Sequence, residues 1–220
     1  MDILRHKHIV WDWNGTLFDD AWLCRDAINV LLRKRGMPTL TEERYQQVFD
    51  FPVMEYYRRL GFDFEKESFE DLGDEFMLDY EVRKFGCRLQ DAAAEVLAAM
   101  GRAGLTQSIL SAYKQDALVH LLEHFAIHEY FTHVIGREDH YASGKIEQGL
   151  WWIEQMHLDP ADVLLIGDTA HDSEVAAAMG TACCLIPGGN HTKARLETCG
   201  VPVFESLAHL LRAIEPGYAR

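Results

Sequence analysis

The sequence predicts an α/β protein with a parallel sheet, helices on both faces of that sheet, and a helical segment inserted near its beginning. Three observations predict this. An apolar run at 8–12 ends on an acid and leads into a glycine turn. From about residue 87 onward, short apolar runs alternate with helical patterns, whereas residues 20–86 lack that alternation. Repeated strand–helix units are typical of parallel sheets covered on both faces.

The predicted strands are short and apolar, as strands buried on both faces usually are. They are HIVWD (8–12), TQSILS (106–111), FTHVIG (131–136), DVLLIGD (162–168), TACCLIP (181–187) and VPVFES (201–206). The helical patterns between them combine strong helix formers with apolar residues at helical spacing. They cover residues 91–103, 114–125, 145–157, 172–180 and 207–214.

The inserted segment is helical and rich in charge. Residues 21–36 form one helical pattern, and a second lies around 74–84. An insertion directly after the first strand of such a sheet most often forms a lid over the site at the strand ends. We therefore predict two domains, a core domain made of 1–19 together with 87–220, and a helical cap domain at 20–86.

Composition narrows the classes of partner. The 220 residues carry a formal net charge of −14, and 48% of them are hydrophobic. Such a charge disfavours nucleic acid and anionic membranes as partners. The five cysteines are odd in number and contain no C-x-x-C pair, which is typical of reduced thiols in a cytoplasmic protein. We find no run near the roughly 20 apolar residues that a membrane helix needs, and no signal-peptide pattern.

Acidic residues end two of the predicted strands. Asp12 follows the first apolar run, and Asp168 closes VLLIGD, with Asp172 four residues later. Because strands of a parallel sheet end at a common edge, these carboxylates should meet in one crevice. An isolated acid here could simply cap a helix, and Asp172 is well placed to do so. Together, however, the acids would repel each other without a cation, and oxygen ligands of this kind favour Mg²⁺.

Two further segments could handle an anion beside those acids. Lys145 opens a predicted helix, a position that the helix dipole slightly disfavours for a cation. An exposed lysine is the simpler interpretation, but near the acids it would neutralise Asp12 and a bound phosphate. Ser111 ends another predicted strand, so its hydroxyl and the backbone N–H of Ala112 could hold phosphate oxygens.

The order of these motifs resembles the haloacid dehalogenase superfamily. The motifs are WDWNGTLFDD (11–20), then Ser111, Lys145 and finally GDTAHD (167–172). The best match is the phosphoglycolate-phosphatase-like branch with a helical cap. The resemblance covers essentially the whole chain and implies a Rossmann-like three-layer core with a parallel sheet. It also identifies residues 49–62 as the cap segment that reaches over the site.

The resemblance implies a role for each motif residue. Asp12 would be the nucleophile and a Mg²⁺ ligand, the backbone carbonyl of Asn14 a second ligand, and Asp168 a third. Asp172 would support the metal or its waters. The reaction would hydrolyse a small phosphorylated metabolite through an aspartyl-phosphate intermediate.

The remaining implied roles concern the phosphoryl group and the turn. Ser111, Ala112 and Lys145 would hold the transferring phosphoryl group, and Thr16 would stabilise the phosphate-binding turn after the nucleophile. The resemblance leaves the substrate and the oligomeric state open.

Asn14 departs from the phosphatase pattern. The phosphatases of the family usually carry a second aspartate there, which protonates the leaving group and then activates water. An amide cannot carry that proton, and such assistance is worth roughly 10²–10⁴-fold. A carboxyl or imidazole close in sequence could substitute, namely Asp19, Asp20 or His171.

Four interpretations follow from Asn14. The chain could be a phosphatase with weakened or relocated proton transfer, or a binding or regulatory protein without catalysis. A phosphonate hydrolase would need a cap lysine for a Schiff base, and none lies within 49–62. A 2-haloacid dehalogenase needs no magnesium, so the retained Asp168 and Asp172 disfavour it. We expect the phosphatase.

Overall fold

The computed structural model describes residues 1–137 and 144–215. Its main sheet is parallel, with five strands in the order β5-β4-β1-β6-β7 within these residues. The strands are β1 (His8–Trp11), β4 (Thr106–Lys114), β5 (His133–Arg137), β6 (Val163–Gly167) and β7 (Ala182–Leu185). A separate antiparallel ribbon joins β2 (Phe18–Asp19) to β3 (Arg88–Leu89).

The central strand is buried along its whole length. All four residues of β1 are buried, and His8 pairs with Thr106 on one side and with Val163 on the other. β1 and β6 run in register, Trp11 opposite Ile166. The residues that follow these two strands therefore emerge side by side at one edge of the sheet.

Alternate residues of β1 face opposite layers. Ile9 and Trp11 belong to one apolar cluster, and Val10 belongs to another. This period of two is what a strand between two helical layers requires. The first cluster includes residues of α5 (Ala93–Arg102), α6 (Gln115–His124) and α10 (Leu207–Ile214); the second includes residues of α7 (Lys145–Gln155), α8 (Ala170–Met179) and α9 (Lys193–Glu197). The predicted three-layer α/β core is confirmed.

The chain between the two strands of the ribbon is helical and has its own apolar cluster. It contains α1 (Ala21–Lys34), α2 (Glu42–Val48), α3 (Val53–Leu60) and α4 (Phe69–Arg83). The hydroxyls of Thr41 and Ser68 accept the N-terminal amides of α2 and α4, as N-cap residues do. We call this segment the cap. The division into domains at 19/20 and 86/87 stays a prediction.

Two predicted strand boundaries were wrong. Residues 201–206 form only an isolated bridge, between Val203 and Leu185, because Pro202 has no N–H to donate and Ser206 already caps α10. β4 does not end at Ser111 but runs to Lys114, and its register with β5 shifts between Leu110 and Lys114. Short 3₁₀ turns also occur, at Lys84–Gly86, His128–Tyr130 and Pro160–Asp162. Among the residues described, none of the helices is long and apolar enough to cross a membrane.

Candidate active site

The site is built on the turn that follows β1. The Asp12 amide donates to the Ile166 carbonyl at 2.9 Å, which continues the β1–β6 pairing by one residue. Gly15 then reverses the chain with φ +81°, and a Cβ there would lie 2.3 Å from Asp168 Oδ2. Only glycine combines that backbone conformation with so close an approach.

Three carboxylates meet beside this turn. Asp12, Asp168 and Asp172 each offer an oxygen, and these oxygens lie within 4.8 Å of one another. The Lys145 ammonium donates to Asp12 Oδ1 at 2.5 Å and to Asp172 Oδ1 at 2.6 Å. The Thr16 hydroxyl lies 2.9 Å from Asp12 Oδ2 and 3.3 Å from Asp168 Oδ1. Side chains up to 160 residues apart in the sequence thus lie together in one buried cluster.

The pKa values within the cluster diverge. Burial raises the pKa of Asp12 to about 6, although Lys145 acts in the opposite direction. Burial and repulsion from Asp12 and Asp172 raise the pKa of Asp168 well above its ordinary value. For Asp172, Lys145 and two hydrogen bonds from Thr169 outweigh burial and lower the pKa. For Lys145, the two acids outweigh burial and raise the pKa.

The donor set fits a divalent cation. One ammonium faces three carboxylates, and the group left without a cationic partner is Asp168. Carboxylate and carbonyl oxygens are the ligands that Mg²⁺ prefers. The carbonyl of Asn14 lies near the same acids, since the Asn190 amide nitrogen is 3.5 Å from it and 3.1 Å from Asp168 Oδ2. Asp12, Asp168 and the Asn14 carbonyl are therefore the candidate ligands.

Asp172 already has donors on both oxygens. Oδ1 accepts from Lys145, while Oδ2 accepts from the backbone N–H and hydroxyl of Thr169, completing a capping box at the start of α8. Both sequence interpretations of Asp172, helix capping and membership of the acid cluster, thus apply together. It is better placed to orient Lys145 and metal-bound waters than to be a direct ligand.

Ser111 lies on the other side of the turn. It is fully buried, its oxygen accepts from the Tyr113 amide at 3.0 Å, and it lies 3.5 Å from Asn14 Oδ1. Ala112 follows in the stretch of β4 where the pairing with β5 is interrupted. Among the described residues, Ala112 has no register pair with β5.

The side chain of Asn14 is held by two residues that sequence reasoning did not place. Its amide nitrogen donates to Asp20 Oδ2 at 2.7 Å and to the Tyr80 hydroxyl at 3.1 Å. The sequence predicts Asp20 only as a possible substitute acid, and it does not identify Tyr80. In the sequence, the signal for this arrangement is an acid, Asp20, six residues after Asn14.

A loop after β7 closes the site from the side of the cap. The Asn190 N–H donates to Asp168 Oδ2 at 2.5 Å, and its side-chain oxygen accepts from the Tyr45 hydroxyl of α2 at 2.8 Å. A Cβ on Gly189 would lie 2.0 Å from Asp168 Oδ2. The segment GGNH (188–191) therefore belongs to the site.

Histidines on this side contact the cap segment 49–62. His191 accepts from the Ala170 N–H at 3.0 Å and lies 3.1 Å from the Phe49 carbonyl. Burial lowers the pKa of His191 to about 4, so it is neutral at physiological pH and can donate to that carbonyl. His171 packs against Phe51, with the rings tilted by 31° and their centroids 4.9 Å apart, and it pairs with Glu174. His171 therefore borders the site, and neither of these contacts joins it to the acid cluster.

Comparison with known proteins decides the family. The model of the haloacid dehalogenase-like hydrolase family matches residues 9–186, which include Asp12, Asn14, Ser111, Lys145, Asp168 and Asp172. The chain belongs to this family. The resemblance predicted from the sequence is confirmed.

Relatives of this chain are named for different activities. It is 26% identical over 193 residues to phosphoglycolate phosphatase of Photobacterium profundum, covering 82% of each chain. It is 24% identical over 183 residues to tyrosine-protein kinase PtkA of Mycobacterium tuberculosis, covering 82% of this chain but 62% of that protein. This chain thus spans about three fifths of that relative's length.

Solved structures of the family confirm the fold. A haloacid dehalogenase-like hydrolase from Streptococcus pneumoniae superposes with a TM-score of 0.83 at 16% identity, over 97% of this chain and 100% of that chain. At this identity the likeness concerns the fold alone. The two chains therefore share one fold over almost their whole length.

Proposed function

We propose that this chain is a Mg²⁺-dependent phosphatase that hydrolyses a small phosphorylated metabolite through an aspartyl-phosphate on Asp12. One observation carries the proposal. Asp12 combines a buried carboxylate, a lysine ammonium at 2.5 Å and two further acids within 4.8 Å. Hydrolase family membership and the phosphatases among the relatives support it.

The residues of the site divide the chemistry. Lys145 keeps Asp12 ionised and lies where it can also contact a phosphoryl oxygen. Thr16 orients the second oxygen of Asp12. An Asp12 oxygen attacks phosphorus, the bond from phosphorus to the leaving-group oxygen breaks, and the phosphoryl group stays on Asp12. Ser111 and the Ala112 N–H would hold its oxygens.

The metal would be held by Asp12, Asp168 and the Asn14 carbonyl. When bound, Mg²⁺ would offset negative charge on the phosphoryl oxygens. Asp172 keeps Lys145 in place through the contact at 2.6 Å, and Asn190 keeps Asp168 in place through two hydrogen bonds. Both residues act on groups that touch the substrate or its cation.

Asn14 decides which substrates suit the site. Its amide has no proton to give to a leaving alkoxide, so the loss of general acid catalysis should cost roughly 10²–10⁴-fold on alkyl phosphates. The leaving groups of acyl and aryl phosphates are weaker bases than an alkoxide and need less general acid catalysis. We therefore expect a preference for phosphate groups on good leaving groups.

The second candidate function is phosphate binding without turnover. Asn14 is the observation that favours it, because the residue that normally completes the reaction is replaced while the groups that hold phosphate and metal remain. Such a protein would bind inorganic phosphate in a Mg²⁺-dependent way and release none from esters.

One experiment separates these functions. The purified chain is assayed with acetyl phosphate, p-nitrophenyl phosphate and glycerol phosphate, with Mg²⁺ or with EDTA, beside Asp12→Asn. We expect Mg²⁺-dependent release of phosphate from the first two, a much slower release from glycerol phosphate, and no release from any of the three by Asp12→Asn. Activity that persists in Asp12→Asn or in EDTA contradicts the proposal. Binding of inorganic phosphate by calorimetry, without turnover of any ester, supports the binding protein instead.

A further inference from the structure

We propose that Asp20 is a positioning residue that fixes Asn14 with its amide oxygen facing Ser111 and its amide nitrogen turned away from the site. The inference rests on the proposed function, because it concerns the residue that replaces the usual proton donor. In this proposal, positions 14 and 20 act as one hydrogen-bonded pair, in which one side chain is an amide and the other a carboxylate.

Asp20 does not play the part that its place in the helix suggests. It is the N-cap residue of α1, where an aspartate side chain normally accepts from the first helical amides. Here the side chain makes no such bond. It turns inward instead and is 0% exposed. A carboxylate withdrawn from its ordinary capping role and from water must be serving the turn that contains Asn14.

Four donors among the described residues surround the Asp20 carboxylate. Oδ1 accepts from the Gly15 N–H at 2.9 Å, and Oδ2 accepts from the Tyr80 hydroxyl at 2.7 Å, from Asn14 at 2.7 Å and, more weakly, from the Cys24 thiol at 3.6 Å. Tyr80 has a single proton, which goes to Asp20. Its oxygen, 3.1 Å from Asn14, must therefore accept. The Asn14 amide nitrogen faces this side, toward two oxygens that accept from it.

The orientation of the amide follows. Both protons on the Asn14 nitrogen are engaged, one by Asp20 and one by Tyr80. The amide oxygen is left for the other side, where the Ser111 hydroxyl lies 3.5 Å away. Asn14 therefore offers the site an acceptor and no donor.

An acceptor at this point helps only one half of the reaction. It can hold a water by one of its protons while the water oxygen attacks the phosphoryl group on Asp12. That step forms the new oxygen–phosphorus bond, returns the electron pair of the broken bond to Asp12, and leaves both water protons with the released phosphate. The same acceptor cannot protonate a leaving group in the first half.

The pairing also predicts why an acid cannot simply be restored at position 14. Asn14→Asp would place a second carboxylate within about 3 Å of the buried Asp20 carboxylate, where the two charges repel each other. Exchanging the two groups, in the double variant N14D/D20N, reverses the donors but keeps the bonds that join position 14, position 20, Tyr80 and Gly15. The amide at position 20 would then donate to the new acid and to Tyr80, and Tyr80 would donate to the new acid.

The test is a double-mutant cycle of wild type, N14D, D20N and N14D/D20N, read by melting temperature and by kcat on glycerol phosphate. We expect N14D to melt lower than wild type and to gain less than about 3-fold in kcat. We expect D20N to lose about 3- to 10-fold, because the amide is no longer held one way. The exchange should restore the melting temperature and raise kcat at least about 10-fold above wild type.

Asp19→Asn is the matched control. Asp19 precedes Asp20 but pairs with the exposed Arg88 at 3.1 Å, outside this network. Both D19N and N14D/D19N should match the variant without that change. If the effects of N14D and D20N add in melting temperature and multiply in kcat, the two positions are independent and the proposal is wrong. If no variant releases phosphate from any ester, the proposed function fails, while the melting temperatures still decide whether Asp20 and Asn14 are coupled.

Discussion

Asp12 and Asn14 lie two residues apart on one turn, yet their surroundings are opposite. Asp12 faces Lys145, Asp172 and Asp168, a cluster in which one cation is shared among several acids. Asn14 faces Asp20 and Tyr80, where one acid is satisfied by neutral donors. We call these the charged side and the neutral side of the turn. Under the proposed function, attack on phosphorus and proton transfer would be supported by separate groups, so one could change while the other is kept.

The largest expected effect comes from breaking the charged side at its cation. Lys145→Met leaves two buried carboxylates without their ammonium, which should cost about 3–5 kcal/mol of unfolding free energy because an unpaired buried charge remains. Chemical denaturation measures this. Lys193→Met, which breaks only exposed pairs, should cost less than about 1 kcal/mol. Equal effects of the two changes would show that Lys145 does not balance the acids.

The next effect concerns Asp168 and the cation. Wild type should gain about 2.7 kcal/mol of stability when Mg²⁺ is present at a hundred times its dissociation constant. Asp168→Asn should raise the melting temperature without Mg²⁺, because it relieves repulsion, and should remove most of that gain. Asp162→Asn, which breaks an exposed pair with Lys7, should keep the full response to Mg²⁺. A full response in D168N would exclude Asp168 as a ligand.

A smaller effect should come from the neutral side. Tyr80→Phe removes the hydroxyl that donates to Asp20 at 2.7 Å, leaving that carboxylate with its other donors. We expect a loss of about 1–2 kcal/mol and a several-fold fall in kcat, with the response to Mg²⁺ unchanged. A weaker response to Mg²⁺ in Tyr80→Phe would mean that the two sides of the turn are not separate.

The smallest effect should come from the contact between cap and core beside Asp168. Tyr45→Phe leaves the Asn190 side-chain oxygen without its donor at 2.8 Å, which should cost about 1 kcal/mol. Mg²⁺ affinity, measured by calorimetry, should fall by no more than about 3-fold, because Asn190 keeps its bonds to Asp168. A loss as large as that of D168N would place Asn190 among the groups that hold the cation.

Much of the core could be predicted because its signals are local. The apolar runs that end at Asp12 and Asp168 mark strands, and a common edge follows from their parallel direction. The convergence of Lys145 on Asp12 came from the resemblance and not from periodicity, since 133 residues separate the two.

The parts that were missed depend on contacts without a local pattern. Tyr80 reaches Asp20 across 60 residues, and Asn190 reaches the Asn14 carbonyl across 176 residues. Tyr80 lies in none of the motifs, and the segment GGNH, which contains Asn190, is equally typical of a plain turn. The strand at 201–206 was predicted from its apolar residues, whereas Pro202 limits the pairing to a single bridge.

The short β2–β3 ribbon has a consequence for how this architecture can vary. Phe18 lies opposite Leu89 and Asp19 opposite Arg88, so the chain leaves the core and returns to it at neighbouring points. Segments of different length and shape can be grafted between those points without moving the strands that carry Asp12 and Asp168. In this chain the graft is constrained, because Asp20 and Tyr80 travel with it. A chimera that inherits Asn14 from the core must therefore receive both of its partners from the donor segment.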